Sequence, residues 1–159
     1  MSTPLPANAA RVQAELAARG FSHDIVVFDR PTRTAAEAAV AVGCTVAQIA
    51  KSLVFRRADT GEPLLVIASG AGRVDETLVA AAIGASIDKA DADYVREVTG
   101  FAIGGIPPVG HRRPIETLID ADLMVHVEIW AAAGHPNTVF PLMPDELLRM
   151  TGGRVVSVR

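Results

Sequence analysis

The stretch Gln48–Phe55, QIAKSLVF, sets one ammonium group, that of Lys51, between an apolar helical turn and the start of an apolar run. An ammonium among such neighbours is costly unless it is paired or faces a ligand, and an anionic or carbonyl-bearing substrate gives it a reason to be there. Two other duties suit the same residue: capping a helix C-terminus with its head in water, or forming a Schiff base with a carbonyl compound. A second stretch, Thr99–His111 (TGFAIGGIPPVGH), combines four glycines with two adjacent prolines. Gly104 and Gly105 allow backbone to approach a ligand without a Cβ in the way, and Pro107 and Pro108 stiffen the loop. Backbone N–H groups on such a loop can be aimed at a carbonyl or phosphate oxygen, although a plain helix-to-strand turn has the same composition. His135, in AAAGHPN, lies on a small-residue loop where a side chain can face either a pocket or solvent.

Other chemistries are disfavoured. No GxxxxGK phosphate loop is present, Gly70-Ala71-Gly72 lacks the third glycine of a dinucleotide fingerprint, and no GxSxG nucleophile elbow occurs. The four histidines do not fall at metal-ligand spacing, and the single cysteine, Cys44, forms neither an internal disulfide nor a cysteine-based metal site. The expectation is therefore no metal, no organic cofactor and a buried structural thiol in a reducing compartment. A formal net charge of -3 argues against bulk electrostatic coating of nucleic acid. It leaves room for a local basic mouth, with Arg56-Arg57 and His111-Arg112-Arg113 as candidates. No apolar run approaches the roughly 20 residues needed to span a bilayer, and the N-terminus lacks a secretory pattern, so a cytoplasmic protein is expected.

The length of 159 residues suits one domain, and a composition that is 50% hydrophobic but only 4% aromatic implies aliphatic packing. Residues 8–19 read as a helix stopped by Gly20, and DIVVFD as a short buried strand. Thr34 with Glu37, and Thr45 with Gln48, have capping-box spacing, which predicts two short helices, the first ending at Gly43 and the second brief. KSLVFRR and PLLVIAS flank the turn signal DTGE, the pattern of an antiparallel hairpin, which puts Lys51 where helix gives way to strand. Helices follow from Asp75 to Gly84 and from Asp91 or Asp93 to Gly100, then strands at TLID, VHVEIWAA and TVFPL, a helix in PDELLRMTG and a last strand RVVSV. His126 is read as a strand residue. Helices and strands are mixed without steady alternation, so the expected fold is a single α/β domain, a mixed and largely antiparallel sheet surrounded by helices.

In chain order, Lys51-Ser52-Leu53-Val54-Phe55, Arg73-Val74-Asp75, Thr99-Gly100 with Gly104-Gly105-Ile106-Pro107-Pro108-Val109-Gly110, Ile119-Asp120 and Ala133-Gly134-His135 resemble the YbaK/EbsC family. These are aminoacyl-tRNA deacylases related to the editing domain of bacterial prolyl-tRNA synthetases, and the resemblance runs over roughly residues 20–150. It implies a free-standing, trans-acting domain that hydrolyses the ester of mischarged tRNA, most often Cys- or Ala-tRNA-Pro. The family's essential lysine then falls on Lys51 and its glycine-rich loop on Gly104 and Gly105, followed by Pro107 and Pro108. Where many members have Gly-Asp after the second hairpin strand, this chain has Ser69-Gly70-Ala71-Gly72. Substrate preference is therefore not carried over from that position.

On this reading Gly104 and Gly105 present N–H groups to the aminoacyl group while Lys51 fixes the acceptor end. Phe28, Thr34, Ser52, Phe101, Ile103, Pro107, Pro108 and His135 are candidates for substrate binding, and Arg56, Arg112 and Arg113 for tRNA phosphates. The expected partners are mischarged aminoacyl-tRNA and a prolyl-tRNA synthetase complex, with a monomer as default and no membrane. The alternative is a module that binds an aminoacyl-adenosine or tRNA 3′ end without turnover.

Overall fold

A computed structural model describes residues 4–159. Helix α1 (Ala7–Ala18) buries Ala9, Val12 and Leu16, one apolar stripe at helical spacing. A two-residue strand β1 (Val26–Val27) precedes α2 (Ala35–Val42), whose first turn is capped by the Thr34 hydroxyl accepting from the Glu37 N–H at 3.1 Å. Strands β2 (Ile49–Arg57) and β3 (Pro63–Ser69) form the expected hairpin. Then come α3 (Glu76–Ile83), β4 (Ile87–Lys89), α4 (Ala92–Thr99), β5 (Glu116–Asp120), β6 (Ile129–Ala132), β7 (Thr138–Leu142), α5 (Pro144–Thr151) and β8 (Arg154–Val156). Asp75 and Asp91 cap α3 and α4, and a left-handed glycine closes each, at Gly84 and Gly100.

The strands form one sheet in the order β1-β7-β6-β2-β3-β5-β8, with β4 also paired to β2. Pairings of β2 with β6, β3 with β5 and β5 with β8 are parallel, and the other four are antiparallel. One face of the hairpin contributes Ala50, Val54, Leu65 and Ile67 to the main core with Val12, Leu16, Val95 and Phe140. The other contributes Phe55, Leu64, Val66 and Ala68 to a cluster around Val79. A third, smaller cluster joins Ala38 and Ala39 of α2 to Ile49.

Three expectations about elements are corrected. DIVVFD is not a buried strand: only Val26 and Val27 pair, at the edge of the sheet, and Val26 is exposed. The helix expected after Thr45 is a single 3₁₀ turn, Val46–Gln48. VHVEIWAA is strand only from Ile129 onward, so His126 lies outside β6. The buried Asp120 carboxylate accepts from the Asp122 N–H at 2.9 Å and starts a 3₁₀ turn, which takes the chain off the sheet and leaves Val125 and Val127 exposed. Strand β4 was not anticipated, because IDK is too short and polar to carry a strand pattern.

The end of β3 is held by a polar cluster. Asp120 accepts from the Ser69 N–H at 2.9 Å and pairs with Arg159, whose guanidinium also donates to the carbonyls of Ser69 and Ala71. Gly70 follows directly, and a Cβ there would stand 2.7 Å from both the Ala35 Cβ and the Val46 carbonyl oxygen. Gly70→Ala is therefore expected to push α2 away from β3 and destabilise the protein by about 1–3 kcal/mol. A chemical denaturation midpoint equal to wild type would contradict that.

Candidate active site

Gly70 donates its N–H to the Ile49 carbonyl and Arg57 donates to that of Glu62. In antiparallel alternation the odd-numbered residues of β2 thus bond to β3, and the even-numbered ones direct their N–H and C=O groups to the opposite edge. On that edge β6 pairs with Ile49 and Ala50, and β4 with Phe55, Arg56 and Arg57. Ser52 and Val54 fall in the gap between the two. Val54 is still flanked by the end of β4, where Lys89 pairs with Phe55, but the outward backbone groups of Ser52 have no strand beside them, so the sheet is open at the point where Lys51 stands.

A cleft of about 230 Å³ lies over this opening. Its walls are the N-terminal end of α2 (Thr34, Ala35, Ala38), β2 from Ile49 to Leu53, the loop residues Ile103, Gly104 and Ile106, and Trp130 to Ala132 with Pro136, Thr138 and Val139 from the β6–β7 hairpin. Lys51 is half-buried, on the same face of β2 as Ile49 and Leu53, which belong to two separate apolar clusters. Among the described residues no ion pair involves Lys51. Arg33 is a second cation in the lining, and no Asp or Glu is part of it. The α2 N-terminus adds the positive end of a helix dipole. The site is built to attract negative charge and carries no carboxylate base.

Hydroxyl groups are mostly committed. Thr32 Oγ1 donates to the Pro136 carbonyl, Thr138 Oγ1 to that of His135, and Thr34 Oγ1 lies 3.4 Å from Glu37 Oε1. Among the described residues Ser52 has no such partner and no base bonded to it, so it lacks the activation a nucleophilic serine requires. No three His, Cys, Asp or Glu residues among those described converge as a metal site.

Of the residues singled out in the sequence, Lys51, Ser52, Thr34, Ile103 and Gly104 come together here. Gly105 does not present its N–H, which donates to the Ala102 carbonyl at 3.1 Å. Its own role is packing, because a Cβ would stand 2.9 Å from the N, Cα and C atoms of His135. Phe28 faces an adjoining groove with Val27 and Pro31, and Phe101 is buried in the main core beneath the Arg11 guanidinium. Pro107 and Pro108 are buried away from the cleft. His135 forms the hairpin turn under Gly105, and its Nδ1 accepts from the Asn137 N–H at 3.3 Å, while its neighbours Pro136 and Thr138 reach the cleft.

The basic candidates separate. Arg56 stacks over the Tyr94 ring at 5.4 Å, five residues along β2 from Lys51 and on its other face. Arg112 and Arg113 line a second cleft with Arg19 and His111. Burial holds the His111 imidazole below its ordinary pKa despite the hydrogen bond of Nε2 to the Pro107 carbonyl. Sequence reasoning missed Arg33, Trp130 and Pro136. Only Arg33 carried a local signal, standing next to the Thr34 cap.

The protein-family comparison matches residues 29–150 to the aminoacyl-tRNA editing domain. An uncharacterized protein of Bacillus subtilis (strain 168), YwhH, is 29% identical over 133 residues, 84% of each chain. The crystal structure of a candidate trans-editing enzyme for prolyl tRNA synthetase superposes with a TM-score of 0.93 at 44% identity, covering 98% of this chain and 99% of that one. The hypothetical protein APE2540 superposes with a TM-score of 0.86 at 30% identity, over 93% of this chain and 98% of its own. The matched segment carries the whole of β2, the glycine loop and the β6–β7 hairpin, and the chain belongs to the aminoacyl-tRNA editing domain family.

Proposed function

We propose that this chain is a trans-acting deacylase that hydrolyses the ester bond of mischarged aminoacyl-tRNA bearing a small amino acid, with Cys- or Ala-tRNA-Pro as the substrates. The observation that carries this reading is the unpaired Lys51 ammonium at an opening in the sheet, in a cleft with a second cation and no carboxylate. A cleft of about 230 Å³ lies below the roughly 300–1,000 Å³ of pockets for drug-sized ligands, which suits a small aminoacyl group. Family membership supports the substrate class, and the prolyl assignment is supported by what the 44% identical relative is called.

In this mechanism Lys51 holds an oxygen of the tRNA 3′ end or polarises the ester carbonyl. The outward N–H of Ser52 and the N–H of Gly104 are the backbone donors available to a developing oxyanion. Gly105 takes no such part, since its N–H is engaged. Attack comes from water on an alanyl ester, releasing alanine, or from the substrate's own thiol on a cysteinyl ester, leaving a cysteine thiolactone that water then opens. In both the ester bond to the 3′-terminal ribose breaks, the proton of the attacking group passes to the departing ribose oxygen, and no covalent enzyme intermediate forms. Prolyl-tRNA is discriminated by size to a limited degree, because one methylene is worth only about 1–3 kcal/mol. The chain works beside a prolyl-tRNA synthetase, on product that the synthetase releases.

The absence of a carboxylate or imidazole base from the lining specifically favours a second reading, a module that captures the aminoacylated 3′ end without turnover. A panel of Cys-, Ala- and Pro-tRNA-Pro separates the two. Deacylation of a mischarged species at least about tenfold faster than of Pro-tRNA-Pro is expected. If nothing is cleaved while an aminoacyl-adenosine analogue raises the melting temperature, the binding reading replaces the enzyme.

A further inference from the structure

The loop that supplies Ile103 and Gly104 to the cleft continues to a second concavity of about 340 Å³, lined by Arg19, Val109, Gly110, His111, Arg112 and Arg113 among others. Three guanidinium groups reach it from two separate parts of the chain, the end of α1 and the loop before β5, and no carboxylate belongs to its lining. Two acidic groups stand close by, and the Glu15 side chain lies 3.7 Å from the position a Gly110 Cβ would occupy. Glu15 pairs with Arg19 at 2.8 Å, and Glu62 stands 3.7 Å from Arg113, both pairs well exposed to solvent. Such exposed pairs are weak and leave most of the positive potential in place.

Among the described residues the Arg112 guanidinium makes only a long 3.4 Å hydrogen bond, to the Glu97 carbonyl. The backbone N–H groups of Gly110 and His111 have no acceptor among the described residues, and Gly110 is held at a φ of 86°. His111 Nε2 donates to the Pro107 carbonyl at 2.7 Å, which ties the imidazole to the loop. Guanidinium groups beside free backbone N–H groups on a glycine turn are what a phosphate oxygen requires.

We infer that this Arg19–Arg112–Arg113 cleft is a second binding site, which grips phosphodiester groups of the tRNA stem while the Lys51 cleft takes the aminoacylated end. The inference rests on aminoacyl-tRNA being the substrate. Gly104 and Arg112 are eight residues apart, so the two sites stand at most about 29 Å from each other. The cleft reads no sequence, because phosphate contacts position a nucleic acid without identifying it. A chain of net charge -3 thereby keeps its attraction for RNA local.

The test compares wild type with the Arg112→Gln/Arg113→Gln double variant in two assays. Both residues are exposed and the variant is expected to fold. In the first assay, uncharged tRNA is titrated at several salt concentrations. The variant should bind on the order of tenfold more weakly at low salt, with a log–log salt slope shallower by about 2. In the second, hydrolysis of a 3′-aminoacyl-adenosine, which lacks the stem, should be unchanged. Equal affinity and slope for the two proteins, with wild type cleaving its ester, overturns the cleft assignment and leaves the deacylase reading standing. Equal loss on tRNA and on the adenosine ester overturns it too, since the arginines then serve the fold or the chemistry. A wild type that neither binds tRNA nor cleaves an ester overturns both readings. Stabilisation of wild type by inorganic phosphate at sub-millimolar concentration, with tRNA binding intact in the variant, assigns the cleft to a free anion instead.

Discussion

Lys51→Ala is expected to lower the deacylation rate by about 100-fold to 1000-fold, the scale of losing one preorganised charge-stabilising group, while leaving the protein folded. Stability should move by less than about 1 kcal/mol, because Lys51 has no ion-pair partner among the described residues whose charge would be stranded. Lys51→Arg is expected to rescue little. Its planar fork replaces a compact ammonium in a cleft of about 230 Å³ whose lining includes the aliphatic Ala38, Ile49 and Leu53. Single-turnover hydrolysis of a mischarged tRNA, with a melting curve beside it, decides the matter. A folded Lys51→Ala protein with wild-type turnover would reduce the lysine to a bystander, and with it the observation on which the proposed function rests.

The second large effect is expected at Gly105. An alanine there brings a Cβ to 2.9 Å from three backbone atoms of His135, and backbone gives way less readily than a side chain. Either the 103–106 loop or the 133–138 hairpin must move, and both are walls of the cleft. A cost of about 1–3 kcal/mol follows from overpacking, equivalent to a fall of roughly 2–12 °C in melting temperature. Displacement of a wall by about 1 Å is expected to reduce turnover by about 100-fold. Gly104→Ala is the control. It has open space, with Pro136 Cγ at 3.9 Å, and carries only the cost of a side chain at a φ of 97°. Wild-type turnover and melting temperature in Gly105→Ala would remove the packing role given to Gly105.

These two residues also show how differently neighbouring positions read from sequence. The glycine pair was legible as a backbone that something approaches closely. Whether that something is substrate or the protein's own chain is a non-local fact. At Gly105 the close approach is to His135, thirty positions away in the chain, and at Gly104 it is to the cleft. Phe101 and Ile103 look alike in the sequence, two apolar residues flanking the loop, yet one is buried at 1% exposure and the other stands 58% exposed at the cleft. Their fates are set by the turn at Ala102–Gly105, not by hydrophobicity.

The sequence by itself determined the local elements of this protein. The caps at Thr34, Asp75 and Asp91, the glycine stops at Gly43, Gly84 and Gly100, and the hairpin around DTGE all formed as read, because each depends on hydrogen bonds or backbone torsions within a few residues. It also singled out Lys51, since an ammonium in an apolar run is conspicuous wherever the run folds. Only the tertiary structure decided what surrounds that lysine. The gap left on β2 between β6 and β4, the seating of Arg33, Trp130 and Pro136 around it, and the parting of Arg112 and Arg113 from Arg56 come from strand order and register. Those are set by which apolar faces bury one another across the whole chain, and such pairings between distant segments leave no periodic trace in any one of them.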